Sequence, residues 1–454
     1  AASDVYKRQT QNIAKYVEKN NNISFFYAIN IIKRWFILKR IIIEGNKPLS
    51  GKIKIGGAKN SVVALIPAAI MANGNVHISN VPNISDRDAL IEILKLLNVS
   101  VINNKDNIDI DASNMKNVVI PENLSSRLRA SYYFMGSLLA RYKHVEMYFP
   151  GGCNIGSRPI DLHLKGFEAL GATITKEDSK YILDAKELHG ANIFLDFASV
   201  GATINIMIAA TLAKGTTIIN NAAREAEIVN IAELLNNMGA KITGAGTEEI
   251  KIEGVKELHG AEIKVIPDRI EAGTYIIMGA LLGDNLEIDG MIPEHNIVLL
   301  NKLQEMGVNF KLNNHKMILN KSANLKPTNV RTVVYPGFPT DLGQPMSVLL
   351  TQANGISLFE ETIWENRMGH VKYLNLMGAN IEAERQHAKI TGPTKLHGKT
   401  ITATDLRAGA ALVTAGLLAD GTTIINDAEH ILRGYERIIN KLSRVGANIK
   451  IEEI

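Results

Sequence analysis

At 454 residues the chain exceeds the roughly 250–300 residues that a single hydrophobic core usually serves, so two domains are expected. Hydrophobic residues make up 46% and charged residues 21%, a balance that excludes a mainly disordered chain. A net charge of +4 with no Lys/Arg-rich run argues against a nucleic-acid partner and suits small anionic ligands.

Residues 1–39 read as a leader or non-native extension ahead of the fold. Their apolar run from Ile23 to Ile32 stops at Lys33-Arg34, well short of the about 20 residues a membrane span needs. No small-residue cleavage site follows, so no membrane or export role is expected.

From residue 40 onward one unit recurs. In chain order, nearly all-apolar helices are expected at 61–72, 129–140, 201–213, 272–282, 343–353 and 408–419. Between them, helices with a polar face end in LLNVSV, ALGATI, NMGAKI, EMGVNF, LMGANI and RVGANI. The capping residues are Asn98, Gly171, Gly239, Gly307, Gly378 and Gly446, spaced 68 to 73 residues apart. Glycine, or asparagine in its place, is what a left-handed helix C-cap requires. Short alternating segments such as GTTIIN and EEIKIEG supply strands.

A helix with almost no polar surface must be buried on most sides, whereas the glycine-capped helices belong outside. Six inner helices divide into two sets of three. The expected domains are 59–266 and, closing on the N-terminal strand, 40–58 with 267–454.

Polar groups gather at the starts of the inner helices: Lys59-Asn60, Arg127 with Arg129, Ser199-Val200-Gly201, Asp268-Arg269 with Glu271, Thr340-Asp341, and Thr404-Asp405 with Arg407. Any one of these reads as an ordinary N-cap. Six together, with cations among them, read as a cleft for phosphate or carboxylate.

Residues 150–161 hold three glycines in twelve positions, so they form a loop that can move. The single cysteine, Cys153, sits there. A lone cysteine can be a small buried hydrophobe, but Arg158 five residues on favours a thiolate. One cysteine permits no intrachain disulfide, which points to a reducing, cytoplasmic setting. The histidines show no metal-ligand spacing, so no metal and no cofactor are expected.

The phrases GGAKNS, LRAS, PGGCNIGSRPIDLH, SVGAT, NAAREAEIV, PDRIEAGT, FPTDLGQP, ENRMGH, TDLRAGA and RGYER occur in order. Together they make residues 40–454 resemble the enolpyruvyl transferases, in the branch that acts on UDP-N-acetylglucosamine. The resemblance implies an α/β fold, a two-domain inside-out α/β barrel built from six repeats of a strand/helix unit. It implies transfer of the enolpyruvyl group of phosphoenolpyruvate to the 3'-hydroxyl of the sugar, with release of phosphate, in peptidoglycan synthesis.

Position by position, Lys59, Arg158, Arg407 and Arg433 match the residues that hold phosphoenolpyruvate. Asn60, Arg129, Arg158, Pro159, Ile160, Asp161, Leu162, Phe197, Ala198, Ser199, Val200, Asp341 and Ile363 match the nucleotide-sugar contacts. Cys153 matches the general acid that also forms a covalent adduct, and Asp341 matches the base at the sugar hydroxyl. Glu365 and Arg367 match further charged cleft residues. Phe197 stands where some relatives carry Lys, so stacking or a backbone contact is expected there. Leu432 stands where relatives often carry Asp. Two other readings stay open: an enolpyruvyl transferase for another acceptor such as a shikimate phosphate, and a non-catalytic nucleotide-sugar-binding homologue.

Overall fold

The helix-capping residues set the repeat. The computed structural model describes residues 39–151 and 160–454. In it Asn98, Gly171, Gly239, Gly307, Gly378 and Gly446 all adopt positive φ, between 59° and 110°. Each reverses the chain after a helix with one buried face, and a strand follows.

The six apolar helices are α1 (Lys59–Ala69), α2 (Tyr133–Tyr142), α3 (Val200–Ala210), α4 (Arg269–Leu282), α5 (Thr340–Leu350) and α6 (Leu406–Leu418). All are buried along most of their length. In one set α2 packs on α1 and α3, and in the other α4, α5 and α6 pack on one another. The second expected helix differs at its start, because Arg129–Tyr132 form a tighter 3-10 turn before α2 begins. Leu128 ahead of that turn is extended, and 3-10 geometry closes its hydrogen bonds over three residues instead of four.

Among the described residues the strands form five four-stranded sheets and one three-stranded sheet. Residues 39–54 complete two of them. Strand β1 (Lys39–Glu44) lies between Thr422–Asn426 and Asn448–Glu453, antiparallel to both, with Ile41 opposite Ile425 and Ile451. Strand β2 (Leu49–Lys54) runs parallel to Gly283–Asp289. The period of two turns Ile41 and Ile43 inward, as an antiparallel sheet with one covered face requires.

Buried apolar side chains fall into two clusters. One runs from Ala58 to Val265, and the other joins Ile41 to Ile55 with Ile270 to Ile449. Each fully buried Leu or Ile contributes about 1.5–3 kcal/mol, so each cluster is large enough to hold its own half together. Among the described residues no helix is long and apolar enough to cross a membrane.

Candidate active site

The chain passes twice between the halves, at Ile55–Ala58 and at Ile266–Asp268, and the two passages are hydrogen bonded to each other. Ala58 N donates to Ile266 O (2.7 Å) and Asp268 N donates to Gly56 O (2.9 Å). Gly57 is needed here, because a Cβ would lie 1.9 Å from the Asn80 carbonyl oxygen. Asp268 then serves both halves. Its Oδ1 accepts from Ile270 N (2.8 Å) and Glu271 N (2.9 Å), capping α4, while Oδ2 accepts from Lys59 N (3.0 Å) at the start of α1. One carboxylate therefore draws two helix N-termini, with their unpaired donors and partial positive charge, to one place.

Lys59 and Arg433 meet at a carboxylate that the sequence does not single out. Asp86, in the first turn of the helix Ser85–Leu96, accepts from Lys59 Nζ at 3.0 Å and from Arg433 Nε at 3.2 Å. Burial opposes its charge, but Lys59 and Arg433 outweigh burial and hold its carboxyl below the usual range. As an acid in a first turn, Asp86 reads in the sequence as a dipole partner like any other. Its cation partner Arg433 lies 347 residues away.

Asp341 is the second centre. Pro339 occupies the N-cap of α5 and no side chain caps that helix, so the capping reading of Thr340-Asp341 fails. Ser199, Asp268 and Asp405 do cap their helices. Asp341 Oδ1 accepts from Arg367 Nη2 (2.7 Å) and Oδ2 from Arg407 Nη2 (2.8 Å). Burial would raise its pKa, yet Arg407 and Arg367 hold the carboxyl far below the ordinary carboxylate value. A quarter of the side chain remains accessible, so a ligand hydroxyl can reach it. The Arg407 guanidinium lies 5.4 Å from the centre of the Tyr435 ring, whose hydroxyl is 2.9 Å from Thr274 Oγ1.

Across the same junction Arg269 Nε donates to Glu227 at 3.2 and 3.3 Å. Burial opposes the Arg269 charge, and Glu227 with Glu225 outweighs it. This pair too joins the halves, and sequence reasoning missed Glu227 because its phrase reads as a helix start.

The residues matched to the nucleotide sugar lie mostly on the first half. Arg129 sits 5.8 Å from the Tyr132 ring centre. Tyr132 makes an edge contact with His163 at 4.6 Å, and Asn205 Nδ2 donates to His163 Nδ1 (3.0 Å). Burial, aided by Arg129, pushes His163 down to about 3, so its ring is neutral. Gly201 must be a glycine: its Cβ would fall 2.7 Å from the Tyr132 hydroxyl and 2.9 Å from His163. Ile160 is buried, with Asp161 and Leu162 opening the helix Asp161–Ala169. Ala198, Ser199 and Val200 are half-buried at the start of α3, and Phe197 is 47% exposed. Asn60 is half-buried beside Lys59. On the second half, Ile363 N is held by Glu361 (2.8 Å), and Glu365 is exposed. Arg127 corrects the sequence reading: it is half exposed and pairs with Glu92 on the surface. Cys153, Arg158 and Pro159 lie outside the described residues.

The family model described as EPSP synthase (3-phosphoshikimate 1-carboxyvinyltransferase) matches residues 43–442. The chain belongs to the enolpyruvyl transferase family. Among curated enolpyruvyl transferases it is 51% identical to UDP-N-acetylglucosamine 1-carboxyvinyltransferase 2 of Bacillus subtilis (strain 168), over 91% of this chain and 96% of that one. It is 50% identical to the protein of that name from Listeria monocytogenes, over 90% and 97%. Among solved structures, the enolpyruvyl transferase NikO from Streptomyces tendae superposes with a TM-score of 0.83 at 26% identity, covering 92% of this chain and all of that one. EPSP synthase from Acinetobacter baumannii shares the fold, with a TM-score of 0.70 at 19% identity over 91% of this chain and all of that one.

Proposed function

We propose that this enzyme transfers the enolpyruvyl group of phosphoenolpyruvate to the 3'-hydroxyl of UDP-N-acetylglucosamine, releasing phosphate, as the committing step of peptidoglycan precursor synthesis in the cytoplasm. The observation that carries the reading is that Lys59 and Arg433, from opposite halves, meet at Asp86, while Arg367 and Arg407 meet at Asp341. A ligand with a phosphate and a carboxylate on the same carbon needs several converging cations. The near full-length likeness to carboxyvinyltransferases named for UDP-N-acetylglucosamine supports that acceptor.

In this reading Lys59, Arg158, Arg407 and Arg433 bind phosphoenolpyruvate. Asn60, Arg129, Arg158 to Leu162, Phe197 to Val200 and Ile363 bind the nucleotide sugar, with Glu365 and Arg367 charging the cleft. Cys153 protonates carbon 3 while the sugar oxygen bonds to carbon 2 and Asp341 takes the hydroxyl proton. Loss of a proton from carbon 3 then expels phosphate from carbon 2. A correctly placed acid and base contribute about 10²–10⁴-fold, and positioning with charge stabilisation supplies the rest.

The test is phosphate release measured with both substrates, with each alone, and with shikimate 3-phosphate as acceptor. Release that requires both substrates, with a product heavier than the nucleotide sugar by one enolpyruvyl group, is expected. Release with shikimate 3-phosphate alone as acceptor would assign the chain to the other branch, and no release with either would leave a binding protein.

A further inference from the structure

We infer that Tyr435 is a positioning residue that couples capture of phosphoenolpyruvate at Arg433 to release of Asp341 from its arginines. The inference rests on the reading of Asp341 as the base at the sugar hydroxyl.

A carboxylate with one arginine on each oxygen is a poor proton acceptor, because moving a proton onto it also breaks two charge-assisted bonds. Asp341, bonded to Arg367 and Arg407, is in that state. For it to act, at least one guanidinium must withdraw as the substrates settle. Facing Asp341 are Arg367 from the loop before the helix Val371–Leu376, Arg407 from α6 and, acting on it from α4, Arg269. Asp268 and Tyr435 face Arg407 in turn.

The segment from Arg433 to Glu436 makes contacts in two directions. Arg433 reaches across to Asp86, and Glu436 Oε1 accepts from Asn83 N at 3.0 Å, so both ends touch the other half. Tyr435, between them, points back into its own half, 1% exposed, onto Arg407 and Thr274. The substrate phosphate competes with Asp86 for Arg433. When Arg433 shifts, Tyr435 two residues along shifts with it, and a closely packed interior passes the displacement on instead of absorbing it. Arg407, 5.4 Å from the Tyr435 ring centre and hydrogen bonded to its hydroxyl, then leaves Asp341 Oδ2. The base is unmasked only when the enolpyruvyl donor is in place.

Single-turnover phosphate release, with both substrates, tests this on wild type, Tyr435→Phe, Tyr435→Leu, Asp341→Asn and the Tyr435→Leu/Asp341→Asn double variant. Tyr435→Leu should lower the rate at least about ten-fold with the KM for UDP-N-acetylglucosamine within about two-fold, since it removes a step and not a contact. Tyr435→Phe keeps the ring beside Arg407 but removes the hydroxyl bonded to Thr274 and Arg407, so its loss should lie between those of wild type and Tyr435→Leu. If Tyr435 acts through Asp341, the double variant should be no slower than Asp341→Asn alone, within about two-fold. Losses that multiply, or a Tyr435→Leu enzyme with wild-type rate, overturn the coupling and leave the base reading standing. An Asp341→Asn enzyme with full turnover removes the base reading itself. Should Tyr435→Leu not fold, Tyr435→Met fills similar volume without a ring and serves in the same cycle.

Discussion

Asp86 and Asp341 are carboxylates held ionised by two cations each, and that arrangement has a pH signature. Their folded pKa values are depressed below the unfolded value of about 3.9, so the stability they contribute is complete above that pH and is lost as pH falls through the folded value. Asp86→Asn is expected to flatten the acid end of a stability profile below about pH 4 and, by removing the carboxylate that competes with phosphate for Arg433, to lower the KM for phosphoenolpyruvate. Chemical denaturation at a series of pH values, with steady-state kinetics, checks both. The buried histidines occupy a different window. Burial pushes His370 down to about 4 and His163 to about 3. Below the unfolded value of about 6.5 the unfolded chain takes up protons that the folded chain refuses, so stability falls from there toward pH 4, by roughly 3 kcal/mol for His370. His370→Gln should reduce the slope between pH 6 and 4.5 by about one proton, and an unchanged slope would mean His370 does not titrate as described. What the sequence discloses at this scale is uneven. Lys59, Arg407 and Asp341 stand out because they open apolar helices; Arg367 and Arg433 are marked only by the motif resemblance, and Asp86, the partner of Lys59, is not marked at all. Asp86 and Glu227 sit in first turns where acids are common, and Arg433 lies in a short turn with no periodicity to read.

At the scale of elements the repeat was open to reading because its signals are local. A left-handed cap demands glycine or asparagine, and a helix buried all round demands an apolar sequence, so both leave marks within a dozen residues. Contacts that depend on two distant elements meeting leave none. Gly57 belongs to the second kind: nothing near it in sequence announces that the Asn80 carbonyl lies where a side chain would go. Gly57→Ala forces backbone to move at the passage between halves. It should cost about 1–3 kcal/mol and shift Asp268 away from the start of α1. Thermal unfolding and KM for phosphoenolpyruvate read the two effects, and a variant with wild-type values for both would show that the passage yields freely.

At the scale of the molecule, charged pairs join two separately cored halves. Arg269 with Glu227 is among the most buried of these, and removing one partner leaves the other charge without compensation. Arg269→Met or Glu227→Met alone should cost about 3–5 kcal/mol, whereas the double replacement should cost less than either. Equal additive losses in thermal unfolding would mean that the two residues do not depend on each other. The two apolar clusters follow the six inner helices taken three at a time, but the ion pairs between them cannot be read, since sequence distance hides them.

The central position of β1 also bears on how the protein is made. Arg40 pairs with Glu452, 412 residues further on, and β1 is flanked on both sides by strands from the last part of the chain. At a synthesis rate of roughly 5–20 residues per second, β1 leaves the ribosome about 20–80 s before its partners exist. The stretch from Ala58 to Val265 has all its strands early and can fold during that wait, as an insertion in a domain still being translated. The strand that emerges first among those described is therefore among the last to be paired, and chaperone demand during biosynthesis should centre on its exposed isoleucine edge.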